Sequence, residues 1–342
     1  MTAKKTVLVT GGAGYIGSHT AWRLVDAGYA VVVLDNFYSG HRWAVHPSAN
    51  LVEGNAGDIS LVRRTIRDFR VDSVIHFAGH IVVPESVQNP LKYYENNTCV
   101  SRNLINACLQ EGIAQFVFSS SAAVYGVTSS VPVSESAATN PISPYGRSKL
   151  MTEWMLRDIS DSTSGEPSVF RYVALRYFNV AGAREDGALG QATKESTHLI
   201  KVACEAACGL REFIPVYGTD YETPDGTCIR DYIHVEDLAQ AHVAALRYLE
   251  NGGSSEVLNC GYGHGFSVRQ VLSAMRKVSG NETPVREVER RSGDVPILVS
   301  DPSRIKSLLH WKPDRADLEM ICSSALGWER KIQASMPGVN TQ

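Results

Sequence analysis

No stretch of this 342-residue chain holds the run of about 20 apolar residues that a membrane helix needs. Neither sign of charge is in excess. The 33 Lys and Arg face 36 Asp and Glu, a formal net charge of −3, so no long-range field points to nucleic acid or an anionic membrane. Internal repeats, low-complexity tracts and linkers are missing too. The seven cysteines (Cys99, Cys108, Cys204, Cys208, Cys228, Cys260 and Cys322) form no Cys-x-x-Cys pair, and no His-rich cluster accompanies them. That argues against a metal site and a disulfide framework, and reads as buried thiols in a reducing cytoplasm. Met1 to Thr6 runs directly into Val7-Leu8-Val9, with no signal-peptide cleavage pattern. A cytoplasmic protein is the expectation.

What is present is alternation. Thr6–Thr10, Ala30–Asp35, Leu51–Gly54, Asp72–Gly79, Ala114–Ser119 and Tyr172–Asn179 are short apolar runs with the look of buried strands. Helical patterns separate them: His19 to Gly28, Ser60 to Phe69 and one long helix from Pro90 to Cys108. Such alternation predicts an α/β protein with a doubly wound parallel sheet.

The ends of these strands carry the polar interest, because ligands in open parallel sheets bind beyond strand C-termini. Gly11, Gly14 and Gly17 follow the first strand at the spacing Gly-x-x-Gly-x-x-Gly. They suit a tight turn, close backbone approach to a pyrophosphate and close helix–strand packing. Asp35 ends the second strand, where a carboxylate bonds adenosine ribose hydroxyls and repels a 2′-phosphate, which favours NAD over NADP. Asp58 has two readings: a contact to an adenine amino group, or an N-cap of the helix from Ser60. His76, inside a strand, reads as a packed structural histidine. Phe77-Ala78-Gly79 lets a cofactor pass close over the backbone. Ser119-Ser120-Ser121 ends the fifth strand and is expected to include a ligand contact.

Tyr145 and Lys149 lie one helical turn apart on one face. Free tyrosine titrates near pH ~10, so a base working at neutral pH needs its pKa lowered by roughly 3, about 4 kcal/mol. A neighbouring ammonium together with a cationic nicotinamide would act in that direction. After Gly182 the rhythm changes. Polar loops alternate with helices at 197–208, 235–249, 267–279 and 317–332, and a strand at 256–260. The division expected is residues 1–180 for the cofactor, with a return near 230–260. Residues 181–335 then mainly form a smaller α/β substrate-binding lobe, and 337–342 fray.

In combination, Gly11-x-x-Gly14-x-x-Gly17, Asp35, Phe77-Ala78-Gly79, Ser119 to Ser121, Tyr145-x-x-x-Lys149 and Arg176 to Asn179 resemble the extended short-chain dehydrogenase/reductases. The stretches GGAGYIGSHT from Gly11, SSSAAVYG from Ser119, SPYGRSKLM from Ser143 and YETPDGTCIRDYIH from Tyr221 are similar to the UDP-glucose 4-epimerase family. The likeness spans residues 5 to 330. It implies a Rossmann domain, NAD, a UDP-sugar substrate, no nucleic-acid or membrane partner, and a homodimer joined by helices near 91–110 and 145–160. By resemblance Tyr145 is the base at the sugar 4-hydroxyl, Lys149 holds the nicotinamide ribose and Ser121 bonds the same hydroxyl. NAD would touch Gly11, Gly14, Tyr15, Ile16, Gly17, Asp35, Asn36, Asp58, Ile59, Phe77, Ala78, Gly79, Asn96, Ser119, Tyr145, Lys149 and Tyr177. The UDP-sugar would meet Ser121, Tyr145, Asn179, His198, Leu199, Tyr217, Arg230, Tyr232, Arg291 and Asp294.

Four positions depart from the family pattern. Ile81 stands where many members have lysine, His198 where some have asparagine, and Lys201 where proline is frequent. Leu298 stands where a bulky tyrosine restricts the sugar. The smaller wall makes UDP-N-acetylglucosamine an alternative substrate, and UDP-xylose and UDP-glucuronate are alternatives because they differ only in a few contacts at C5 and C6. A 4,6-dehydratase is disfavoured, since Ala122-Ala123 stands where it would carry Asp-Glu. A non-catalytic NAD-sensing module is the remote reading, opposed by the joint presence of Ser121, Tyr145 and Lys149.

Overall fold

The computed structural model describes residues 4–335 apart from 129, 166–168, 194, 195 and 292. The expected fraying of 337–342 lies outside the described residues. Thr6–Thr10 (β1), Tyr15–Asp26 (α1), Ala30–Asp35 (β2), Asn50–Glu53 (β3), Ile59–Phe69 (α2) and Ser73–His76 (β4) open the chain. Val83–Gln88 (α3), Pro90–Tyr93 (α4), Val100–Gln110 (α5), Gln115–Ser119 (β5), Pro144–Ser162 (α6) and Arg171–Tyr177 (β6) follow. The second half holds Asn179–Ala181 (β7), Leu199–Ala207 (α7), Ile214–Tyr217 (β8), Ile229–Arg230 (β9), Tyr232–His234 (β10), Val235–Glu250 (α8) and Glu256–Cys260 (β11). Phe266–Ser267 (β12), Val268–Ser279 (α9), Val285–Val288 (β13), Ile297–Leu298 (β14), Ser303–Leu308 (α10) and Leu318–Ser335 (α11) complete it.

Seven parallel strands form one sheet in the order β11-β6-β5-β4-β1-β2-β3. The order reverses between β1 and β4, and that switch point opens a crevice beyond the strand ends. Both faces are covered, which is why the strands read as unbroken apolar runs. Val7, Val9, Val31, Val33, Ile75 and Val173 pack on one side with residues of α1 and α8. Leu8, Val32, Leu34, Val74, Phe116 and Phe118 pack on the other with residues of α2, α5 and α6. Truncating one such fully buried leucine to alanine would cost about 2–5 kcal/mol. His19 of α1 bonds the carboxylate of Glu236 in α8, and both are buried. β11 brings residues 256–260 back to the sheet edge beside β6.

Beyond Tyr177 the chain builds three small sheets, β10-β7, β12-β9-β14 and β13-β8. The expected strand through Asn179 ends at Tyr177, and Asn179 pairs with Tyr232 instead. The expected helix from Thr197 starts at Leu199 after an N-cap at His198. The long helix 90–108 is interrupted by a π-helical segment, Tyr94–Cys99, a distortion common at functional sites.

Candidate active site

One cavity of about 500 Å³ runs from the ends of β1, β2 and β4, past β5 and α6, into the second lobe. At one end lies the glycine turn. Gly11 has φ +69°, and a Cβ there would stand 2.6 Å from the backbone nitrogen of Ala78. A Cβ on Gly17 would stand 2.2 Å from the carbonyl oxygen of Gly11. Glycine is thus required at both positions for the turn and for helix contact. α1 begins after Gly14 with no side-chain cap, so its first N–H groups are free for an anion. Asp35 is buried at the end of β2. Its carboxylate accepts from Ala13 N at 2.9 Å and Phe37 N at 2.8 Å, and the oxygens keep lone pairs for two hydroxyls.

Tyr145 lies in the first turn of α6, which Ser143 caps by accepting from Gly146 N at 3.2 Å. Its ring is buried, and it lines the cavity together with Ser121. Burial pushes the phenol above its ordinary value, opposed by the Ser121 hydroxyl. The expected lowering by Lys149 does not appear among the influences on the phenol in the chain alone. Lys149, one turn on, donates from Nζ to Ser119 O at 2.8 Å and sits over the Phe118 ring. Burial lowers its pKa to about 8, although Glu153 opposes the shift. A Cβ on Gly79 would stand 3.8 Å from Nζ, which places the ammonium just behind the cavity wall.

The three serines divide. Ser119 and Ser121 line the cavity, and the Ser119 hydroxyl meets that of Tyr177. Ser120 turns the other way, to the buried carboxylate of Glu153. His76 is the packed histidine expected. Its ring nitrogens meet Thr10 Oγ1 at 2.7 Å and Ser101 Oγ at 2.8 Å, and burial, then the Lys149 charge, lower its pKa to about 3.

In the second lobe Asn179, His198, Leu199, Tyr217, Arg230, Tyr232, Arg291, Asp294 and Leu298 line the same cavity. Asp294 accepts from Arg291 Nε at 3.1 Å and lies 3.7 Å from Arg230 Nη2. The Arg291 guanidinium stacks 4.5 Å over the Tyr217 ring. His198 bonds Gln191 Nε2 through Nδ1 at 2.9 Å. An amide nitrogen only donates, so Nδ1 accepts and Nε2 carries the ring proton. Enclosure in the cleft, then the Arg291 charge, lowers the His198 pKa, so the ring is neutral at neutral pH.

Of the remaining residues expected from the sequence, Gly14, Tyr15, Ile16, Asn36, Phe77, Ala78, Gly79, Asn96 and Tyr177 line the cavity. Lys149, Asp58 and Ile59 do not. Asp58 caps α2, accepting from Leu61 N at 3.0 Å. Sequence reasoning missed Asn97, which π-helical geometry turns inward. It bonds both backbone groups of His80, at 2.8 and 3.0 Å, and Ser148 Oγ at 3.1 Å. It also missed Gln191, which lies in a loop with no motif. Among the described residues no His, Cys, Asp and Glu cluster could hold a metal, and no helix is long and apolar enough to cross a membrane.

A family model described as NAD dependent epimerase/dehydratase matches residues 7–261. A UDP-glucose 4-epimerase of Azospirillum brasilense is 55% identical over 334 residues, 98% of this chain and 94% of that protein. The UDP-glucose 4-epimerase of Brucella ovis, solved in complex with NAD, superposes with a TM-score of 0.90 at 45% identity, covering 94% of this chain and 98% of that one. The UDP-Glc/GlcNAc 4-epimerase of Campylobacter jejuni superposes with a TM-score of 0.82 at 47% identity, covering 96% and 99%.

Proposed function

Since the chain belongs to the NAD dependent epimerase/dehydratase family, we propose that the cleft at Tyr145 carries its chemistry. The reaction is the NAD-dependent 4-epimerisation of a UDP-hexose, interconverting UDP-glucose and UDP-galactose through a 4-keto sugar. The observation that carries this assignment of residues is one continuous cavity. It has the Ser121–Tyr145 hydroxyl pair in its wall, a glycine cradle at one end and Arg230 and Arg291 at the other.

The cradle fits NAD. Uncapped N–H groups and backbone unscreened by side chains suit its diphosphate, and Asp35 suits its unphosphorylated adenosine ribose. When bound, NAD would supply a reversible hydride acceptor for C4 and, in its oxidised form, a positively charged ring. Tyr145 removes the proton of the 4-hydroxyl and gives it back, while Ser121 holds that hydroxyl. Lys149, protonated at neutral pH, anchors Ser119, and its charge would add to that of an oxidised nicotinamide in favouring the phenolate.

For both faces of C4 to be presented, the sugar must turn while the nucleotide stays. Arg230 and Arg291 would hold the diphosphate by charge and fork geometry. Asn179 and the Leu199 end of α7 sit beside them. Tyr217 and Tyr232 are assigned to the uracil, Asp294 to a ribose hydroxyl, and His198 offers its Nε2–H. On this reading residues 1–180, with the return at 230–260, hold NAD, and 181–335 mainly grip UDP.

The protein is further read as a cytoplasmic homodimer. All seven cysteines are free thiols. Leu91 and Trp154, 77% and 46% exposed, leave apolar surface on α4 and α6, whereas Leu104, Leu150 and Leu156 point into the core. Sedimentation of a monomer at micromolar concentration refutes the dimer. For the reaction, purified protein given UDP-galactose without added NAD or reductant should form UDP-glucose, followed by NMR. Full activity in Tyr145→Phe overturns the assignment.

A further inference from the structure

We propose that Tyr38 and His80 form a strap over the diphosphate of bound NAD, and that the cofactor leaves only when the strap parts. This rests on the NAD reading of the cleft. Tyr38 follows β2 and His80 follows β4. In the sheet these strands flank β1, one on each side, so they run about 10 Å apart. Yet the two rings meet edge to face with centroids 4.5 Å apart. A contact between those loops has to cross above the end of β1. The end of β1 is the glycine turn, and Tyr38 and His80 line the same cavity as Gly11 and Gly14.

The contact is braced from α3, α4 and the π-helical segment that follows them. Lys92 donates to the Tyr38 hydroxyl at 3.0 Å and pairs with Glu85. Tyr93 bonds Glu85 at 2.8 Å and both backbone groups of Val82, at 2.7 and 3.0 Å. Asn97 holds both backbone groups of His80. Tyr38 itself is 63% exposed and lines the cavity, so it belongs to the cleft and not to the core. The same loop carries Ile81, 41% exposed, an apolar side chain that lines the cavity and offers the phosphates no charge. A reversible hydride cycle needs a carrier that stays bound between its two halves, and a mechanical closure supplies that retention without the charge.

The test follows release of bound radiolabelled NAD from the purified holoprotein into excess unlabelled NAD. Tyr38→Ala and His80→Ala are each expected to release it about fivefold to tenfold faster than the wild type. The double variant should be no faster than either single one, because one contact is lost in all three. Release at the wild-type rate from the alanine variants overturns the strap, and so do single effects that multiply in the double variant. Should His80→Ala fail to fold, Tyr38→Ala against Tyr38→Phe decides. The phenylalanine ring is expected to retain NAD near the wild-type rate, and equal rates for the two overturn the proposal. Wild-type protein that yields no NAD on denaturation would sink the cofactor reading as well, whereas unchanged release from loaded variants sinks the strap alone.

Discussion

Arg176 of β6 and Glu153 of α6 meet as a buried two-pronged pair. Arg176 Nη2 lies 2.6 Å and Nε 3.2 Å from one carboxylate oxygen, and Nε lies 3.0 Å from the other. Ser120 closes on the same carboxylate. This ties the middle of α6 to β6 and sets the turn that bears Tyr145 and Lys149. Replacing one partner leaves the other charge buried and unpaired, which costs about 3–5 kcal/mol. Glu153→Ala should therefore lower the urea midpoint sharply, and a midpoint within experimental error of wild type refutes the role.

Lys149 exposes a conflict between stability and function. Its pKa is near 8 in the fold and about 10.4 in an unfolded chain. Between those values the unfolded state binds more protons, so this group's contribution to stability rises with pH across that window. Below pH 8 the penalty is fully present. A neutral Lys149→Met side chain escapes it, by roughly 3 kcal/mol before the lost bond to Ser119 is counted. The variant should thus be inactive yet more resistant to urea at pH 7, with the difference shrinking toward pH 10. Equal or lower resistance at pH 7 contradicts this.

The arrangement of Ser119, Ser120 and Ser121 shows what was legible in the sequence and what was not. The glycine spacing, Asp35 and the Tyr145–Lys149 turn are local signals, because each depends on a strand end or a helical turn within a few residues. The splitting of the serines also follows from local geometry, since successive side chains of an extended backbone point to opposite sides. The role of Asn97 was hidden because a π-helical segment shifts which side chains face inward. The Tyr38–His80 contact joins loops 42 positions apart in sequence and carries no periodicity of its own. Only the strand order brings them together.

His198 tests the grip on the substrate. Its neutral ring offers one N–H into the cavity, and Gln191 fixes which nitrogen carries the proton. An interaction with a group that does not change during the reaction alters binding of ground and transition states equally. His198→Ala should raise KM for UDP-glucose by about threefold to tenfold, the worth of one neutral hydrogen bond, with kcat within about twofold. Inhibition by UDP should weaken by the same factor. A fall in kcat at unchanged KM would place His198 in the chemistry instead.

Lys201 accounts for its own departure from the family pattern. It is the third residue of α7, where a backbone N–H has no partner within the helix, so a proline would be tolerated there. In this chain the side chain reaches inward. Nζ lies 2.5 Å from Glu329 of α11 and 3.3 Å from Glu205, with Lys201 and Glu329 both buried. The pair thus fastens α7, whose first turn carries His198 and Leu199, to the last helix. Lys201→Met leaves Glu329 charged and buried and should cost about 3–5 kcal/mol. Adding Glu329→Leu removes that orphaned charge and should restore most of the loss. Urea unfolding of the two single variants and the double one measures the coupling. Strict additivity of the two single losses would mean that the pair does not fasten the helices.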